Sequence, residues 1–206
     1  MGAYKFGKSF LPRRCSFEEM MRIALTGGIA CGKSLAAKFM NEQGVETLDA
    51  DDIVHEIIPD PAERKRIAAE VFANPEARRA LEERIHPLVR ERFATWFAEE
   101  RPASAPLRIA IIPLLYETGW ERDFDFIGCI VSSREEQISR MVQTRGYSIA
   151  EAEGRLAAQM PPEEKAARAD FVISNGASSE ELRRQVLLFI QEAQNRSKTL
   201  PTCKEE

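Results

Sequence analysis

A chain of 206 residues with 44% hydrophobic and 30% charged residues is long enough to bury one α/β core with smaller inserts and too short for two large domains. Its composition excludes disordered and fibrous classes, and a formal net charge of -4 gives no general attraction to nucleic acid or to an anionic membrane. Cys15, Cys31, Cys129 and Cys203 follow neither zinc-ligand nor disulfide-framework spacing, which fits reduced thiols in the cytoplasm, and no apolar run approaches the length of a membrane span. The expected partner is a small molecule.

Residues 1–20 carry Lys5, Lys8, Arg13 and Arg14 and no apolar periodicity, so the fold is expected to start at Met21. The leading segment reads as a dispensable extension from an upstream start codon. A strand at Ile23 to Leu25 enters a Gly-rich loop, and a helix from Ser34 to Gln43 follows, with Leu35, Phe39 and Met40 inward and Gly44 as its stop. The next strand, Val45 to Leu48, ends in Asp49, Ala50, Asp51 and Asp52, which places carboxylates where open parallel sheets hold their ligands. From Ile53 to about Glu100 the pattern is helical: Asn74 caps, Pro75 takes the first helical position, and Leu81, Ile85, Leu88, Trp96 and Phe97 mark an apolar face.

The continuous apolar run Leu107 to Ile112 predicts a strand buried on both faces, leading into Pro113, Leu114, Leu115, Tyr116 and Glu117. A further strand at Phe126 to Val131 precedes an Arg-bearing helical stretch from Ser133 to about Arg168, and a last strand at Phe171 to Ile173 ends at Asn175 and Gly176. The final helix opens with Ser178 and Glu181 in capping-box spacing, packs Leu182, Val186, Leu187 and Ile190, and gives way to a polar tail over 196–206. This alternation predicts one α/β domain over 21–195, a five-stranded parallel sheet flanked by helices.

The segment GGIACGKS, Gly27 to Ser34, matches G-x-x-x-x-G-K-[ST] between a predicted strand and a predicted helix. Such a P-loop wraps backbone N–H groups around phosphate oxygens at the positive end of a helix. ATP with Mg²⁺ is therefore expected, its phosphates against Gly27, Gly28, Ala30, Cys31, Gly32, Lys33, Ser34 and Leu35. Lys33 faces the β- and γ-phosphates, and the Ser34 hydroxyl ligates the metal. Cys31 beside Lys33 at a helix N-terminus is where a thiol pKa can fall, although a small residue that simply fits is the plainer reading.

A P-loop alone fits kinases, switches and motors, and no N-K-x-D stretch for guanine is present. Between Met21 and about Leu187 the chain resembles the dephospho-CoA kinases, through LTGGIACGKS (25–34), Asp49-x-Asp51, His86-Pro87, PLLYE (113–117), RMVQTRGYS (140–148) and RLAAQMPPEEKAARADFVISNG (155–176). The resemblance implies phosphorylation of the ribose 3′-hydroxyl of dephospho-CoA by ATP, a helical substrate-covering insert at about 53–100, and a lid at about 134–168.

In-line transfer needs a carboxylate to accept the hydroxyl proton, for which Asp51 is the candidate. Asp49, on the same side of an extended chain, would orient the hydroxyl or hold a metal-bound water. Arg140, and less directly Arg145, would neutralise charge on the transferred phosphoryl from the lid. Glu117 is expected to point into the cleft, toward substrate or a metal-bound water, and His86 to touch substrate rather than to catalyse. The resemblance also implies that Asn175 and Gly176 contact adenine.

The insert after Ile58 is about twenty residues shorter than the family's usual one, and Leu35 stands where the family commonly has Thr or Ser. Two other readings compete: a kinase for another small metabolite, and a non-catalytic ATP sensor that would tolerate Asp51→Asn.

Overall fold

The computed structural model describes residues 21–100, 107–176 and 178–199; the proposed leading extension and most of the polar tail lie outside them. Five parallel strands form the sheet: β1 (Ile23–Gly27), β2 (Glu46–Asp49), β3 (Arg108–Ile111), β4 (Phe126–Val131) and β5 (Phe171–Ser174), in the spatial order β2-β3-β1-β4-β5. β1 is central, with Leu25 in register with Ile111 on one side and Gly128 on the other. Its side chains alternate between two cores, which is why the strand is apolar throughout. Ile23 and Leu25 join Phe39, Met40, Val186 and Phe189, under α1 (Lys33–Asn41) and α8 (Ser179–Thr199). Ala24 faces Ile53, Ile85, Phe93, Trp96 and Trp120 on the other side.

That second core is roofed by α2 (Ala50–Ile57) and α4 (Pro75–Ala98), with α3 (Pro61–Ala73) packed on α4. Asn74 caps α4 by accepting from the N–H groups of Glu76 and Ala77. A buried Arg108 on β3 ties the far end of α4 to the sheet. Its guanidinium bonds the Trp96 and Glu99 carbonyls and pairs with Glu46 at 2.6 Å, so orphan helix-end carbonyls gain donors.

The stretch expected as one helical region over 133–168 is three helices, α5 (Arg134–Arg145), α6 (Ile149–Ala157) and α7 (Pro162–Arg168). Gly146 at φ +67 ends the first, and Pro161 with Pro162 separates the last. Capping boxes start the first two, Ser133 with Glu136 and Ser148 with Glu151. Three residues expected to face inward do not: Leu35 is 38%, Leu88 43% and Leu187 41% exposed. Periodicity locates an apolar stripe, but its edges are covered only where another element reaches them.

Candidate active site

β1 ends at Gly27 against β4, where an added Cβ would meet the Ile130 carbonyl at 2.5 Å, so the chain can turn into the loop there only as glycine. Ala30 adopts φ +57 and Gly32 φ +100, folding residues 28–32 back over the start of α1. The first α1 bond runs from Ala36 N–H to the Gly32 carbonyl at 3.0 Å, so the amides of Lys33, Ser34 and Leu35 precede it and are available to an anion. Lys33 Nζ donates to the Gly27 and Gly28 carbonyls at 3.0 and 2.9 Å. Burial lowers its pKa, while Asp51 and then Asp49 act in the opposite direction. Ser34 is exposed in the first turn of α1.

Cys31 is not an activated thiol. It is fully buried, its sulfur lies 3.2 Å from Gln137 Nε2, and burial pushes its pKa up despite the nearby Lys33. A helix N-terminus lowers a thiol pKa only where desolvation does not outweigh it.

The acidic pair differs from the extended arrangement expected of it. Asp49 is the N-cap of α2, its Oδ1 accepting the Asp51 N–H at 2.9 Å, and Asp51 lies in the first helical turn. Burial, with the neighbouring Asp51 and Asp52, raises the Asp49 carboxyl to about 6 against its capping bond. Asp51 borders a cavity of about 220 Å³ beyond the carboxyl end of β3, walled by Ile85, His86, Val89, Arg90 and Trp120. It also acts on the Lys33 ammonium more strongly than Asp49 does. Asp51 thus stands between the phosphate loop and the cavity.

His86 lines that cavity from α4, and burial lowers its pKa, which favours the neutral ring near pH 7. Beside it, Arg90 stacks on Trp120 at 5.2 Å and donates to the Thr118 carbonyl. Sequence reading missed Arg90 because a lone arginine in a charge-rich helix carries no pattern of its own.

Arg140 reaches the loop: Nη1 donates to the Ala30 carbonyl at 3.1 Å and to Ser132 Oγ at 2.8 Å, and Nη2 to the Asn175 carbonyl at 2.8 Å. Arg145, at the end of the same helix, is exposed and joins none of these groups. Asn175 is buried, and its amide donates to the Cys31 carbonyl at 2.8 Å, so that donor is engaged by the loop; Gly176 follows it, exposed.

Glu117 does not point freely into the cleft. It accepts from Lys165 Nζ at 2.7 Å and from Met160 N–H at 3.1 Å. Lys165 is completely buried and also donates to the Pro113 carbonyl at 2.7 Å. It was missed because its partners lie far back in the chain. Arg90, Lys165, Gln137 and Gln159, whose Oε1 accepts the Ile29 N–H, take roles in the site that only the fold discloses.

The model of the family described as dephospho-CoA kinase matches residues 21–63 and 60–181. A dephospho-CoA kinase of Geobacter metallireducens is 38% identical over 194 residues, covering 84% of this chain and 96% of that one. Among solved structures, a Thermus thermophilus protein superposes with TM-score 0.72 at 31% identity over 85% of this chain and 98% of its own. A dephospho-CoA kinase from Campylobacter jejuni gives 0.61 at 28% over 86% and 97%.

Proposed function

This chain belongs to the dephospho-CoA kinase family, and on that premise we propose that its cleft transfers the γ-phosphoryl of ATP to the ribose 3′-hydroxyl of dephospho-CoA, with Asp51 as the base. The observation that carries the assignment is the position of Asp51, bordering the acceptor cavity while acting on the Lys33 ammonium. The acceptor hydroxyl forms a bond to the γ-phosphorus as its proton passes to the Asp51 carboxylate. The bond from that phosphorus to the β,γ-bridging oxygen breaks, and ADP leaves. Lys33 exchanges the Gly27 and Gly28 carbonyls for phosphate oxygens, and the open amides of Lys33, Ser34 and Leu35 receive the remaining charge.

Arg140 supports the reading from the other side, since its guanidinium already lies on the loop at Ala30. In the acceptor cavity, His86 and Arg90, with Asp51, Glu82 and Thr118, supply polar groups on a largely apolar wall. Gly176, exposed after the buried Asn175, offers backbone to the adenine of ATP.

Mg²⁺ fits the donor chemistry: the Ser34 hydroxyl lies in the exposed first turn of α1, and Asp49, half-buried at the start of α2, would be the carboxylate for a metal-bound water. Among the described residues no cluster of His, Cys, Asp or Glu side chains could form a separate cage, as suits an ion carried mainly by phosphates. When bound, the ion neutralises charge on the β- and γ-oxygens.

The test is ADP release with dephospho-CoA, against no acceptor, AMP, adenosine and shikimate, with mass detection of the product. CoA formed in step with ADP, and lost in Asp51→Asn while ATP still binds, is the expected result. ATP binding without acceptor-dependent release would instead identify a sensor, and transfer to another acceptor would replace the substrate named here.

A further inference from the structure

A phosphate loop must direct its inner N–H groups at the ligand, so its outward backbone groups need partners of their own. Here those partners are side chains from the lid region and the ends of β4 and β5. Ile29 is held on both sides: its N–H donates to Gln159 Oε1 at 3.0 Å, and its carbonyl accepts from Gln137 Nε2 at 2.7 Å. The Ala30 carbonyl goes to Arg140, and the Cys31 carbonyl to Asn175 with Ser132 at 3.4 Å.

The packing is close enough to dictate sequence. Gly28 has an ordinary backbone conformation, yet a Cβ there would lie 2.8 Å from Gln137 Nε2 and 3.3 Å from Pro162 Cγ. Gln137 is buried on α5. Gln159 lies between α6 and α7, and the next residue, Met160, is fixed through its N–H by Glu117, itself paired with the buried Lys165.

We propose that Gln137 and Gln159 are positioning residues for phosphoryl transfer, a donor and an acceptor that fix the Ile29 peptide groups so that the loop presents its amides to ATP. Gln137 must donate and Gln159 must accept, because the atoms they meet are a carbonyl oxygen and an N–H. The lid region therefore shapes the loop before any contact of its own with nucleotide.

This rests on the kinase reading only for its turnover arm, because ATP affinity is measured without acceptor. The variants are Gln137→Met and Gln159→Met, which keep length and remove the bonds, and Gln137→Glu and Gln159→Glu, which add the same charge beside the same residue. Each is assayed for ATP Kd by titration, for KM of ATP and of dephospho-CoA, and for melting temperature. Both Met variants should weaken ATP binding about tenfold, the loss expected for about one hydrogen bond, with the KM of dephospho-CoA unchanged. Gln159→Glu still accepts the Ile29 N–H and should recover most of that loss, whereas Gln137→Glu has no donor and should bind at least about tenfold more weakly than Gln159→Glu.

Unchanged ATP affinity in both Met variants would overturn the proposal. So would equal damage from the two Glu variants, or losses that merely follow a fall in melting temperature. A parent enzyme that binds ATP but phosphorylates no acceptor would sink the kinase reading while leaving the affinity comparison intact.

Discussion

Replacing Asp49 by Asn keeps the oxygen that caps α2 and removes a carboxylate that burial disfavours. The folded carboxyl titrates near 6 against an ordinary 3.8, and at about 1.4 kcal/mol per pKa unit the charged form costs the native state at most about 3 kcal/mol. Asp49 is only half-buried, so solvent screening reduces this to about 1.5 kcal/mol. The sign follows from proton binding: between about pH 4 and 6 the native state keeps a proton that the unfolded chain releases, so the parent loses stability as pH rises through that window. Asn has no proton to lose. The variant should therefore melt about 3 to 5 °C above the parent at pH 8, with roughly half that gain at pH 5. Thermal unfolding of both proteins followed by circular dichroism at the two pH values is the assay. If Asp49 also orients the acceptor or a metal-bound water, turnover should fall about tenfold in the same variant, a stabilisation gained at the expense of activity. No gain at pH 8, or a gain independent of pH, would refute the claim that Asp49 is held charged against its environment.

Two further outcomes follow from buried groups. Arg108→Met leaves the Trp96 and Glu99 carbonyls without their donor and Glu46 without its partner. That should cost about 3 kcal/mol, a fall in melting temperature of about 6 to 12 °C, with the Kd for ATP unchanged; a shift below about 2 °C would refute the anchoring role. Cys31, buried and with its pKa raised, should react with iodoacetamide at pH 7.5 at least about a hundredfold more slowly than free cysteine. Peptide mass mapping of the native protein reads this directly, and rapid Cys31 labelling would restore the activated-thiol reading.

What the sequence disclosed is what local chemistry encodes. The apolar run of β1, the glycines and Lys33 of the loop, and the Asn74-Pro75 start of α4 are each specified within a few residues, and each is where the pattern put it. The Asp-Ala-Asp-Asp stretch was ambiguous for a physical reason. Acidic residues following a strand read equally as the end of an extended chain and as an N-cap with an acidic first turn, and the second is what α2 uses. Leu35, Leu88 and Leu187 show the complementary limit, since which edge of a stripe is covered depends on elements remote in the chain.

Glu117 marks the boundary between the two kinds of residue. From sequence it is a carboxylate beyond a strand end, and that position suggested the cleft. In the fold its charge is taken by Lys165, which lies within the stretch 155–176 but has a role there that only its complete burial and its partner disclose. Gln137 and Gln159 are hidden for the same reason, because a glutamine carries no charge or period to betray it. Yet the requirement they meet was visible in GGIACGKS itself. A loop whose inner amides are reserved for phosphate leaves outward N–H and C=O groups that burial will not tolerate unpaired. Those partners must then come from polar side chains on elements that pack over the loop. In a parallel sheet with β4 and β5 on that side, the chain after Val131 is the part able to supply them. Counting the backbone groups of the loop shows that such partners must exist after Val131, while the fold is what names them as Gln137, Arg140, Gln159 and Asn175 and separates Arg140, which reaches a loop carbonyl, from Arg145, which does not.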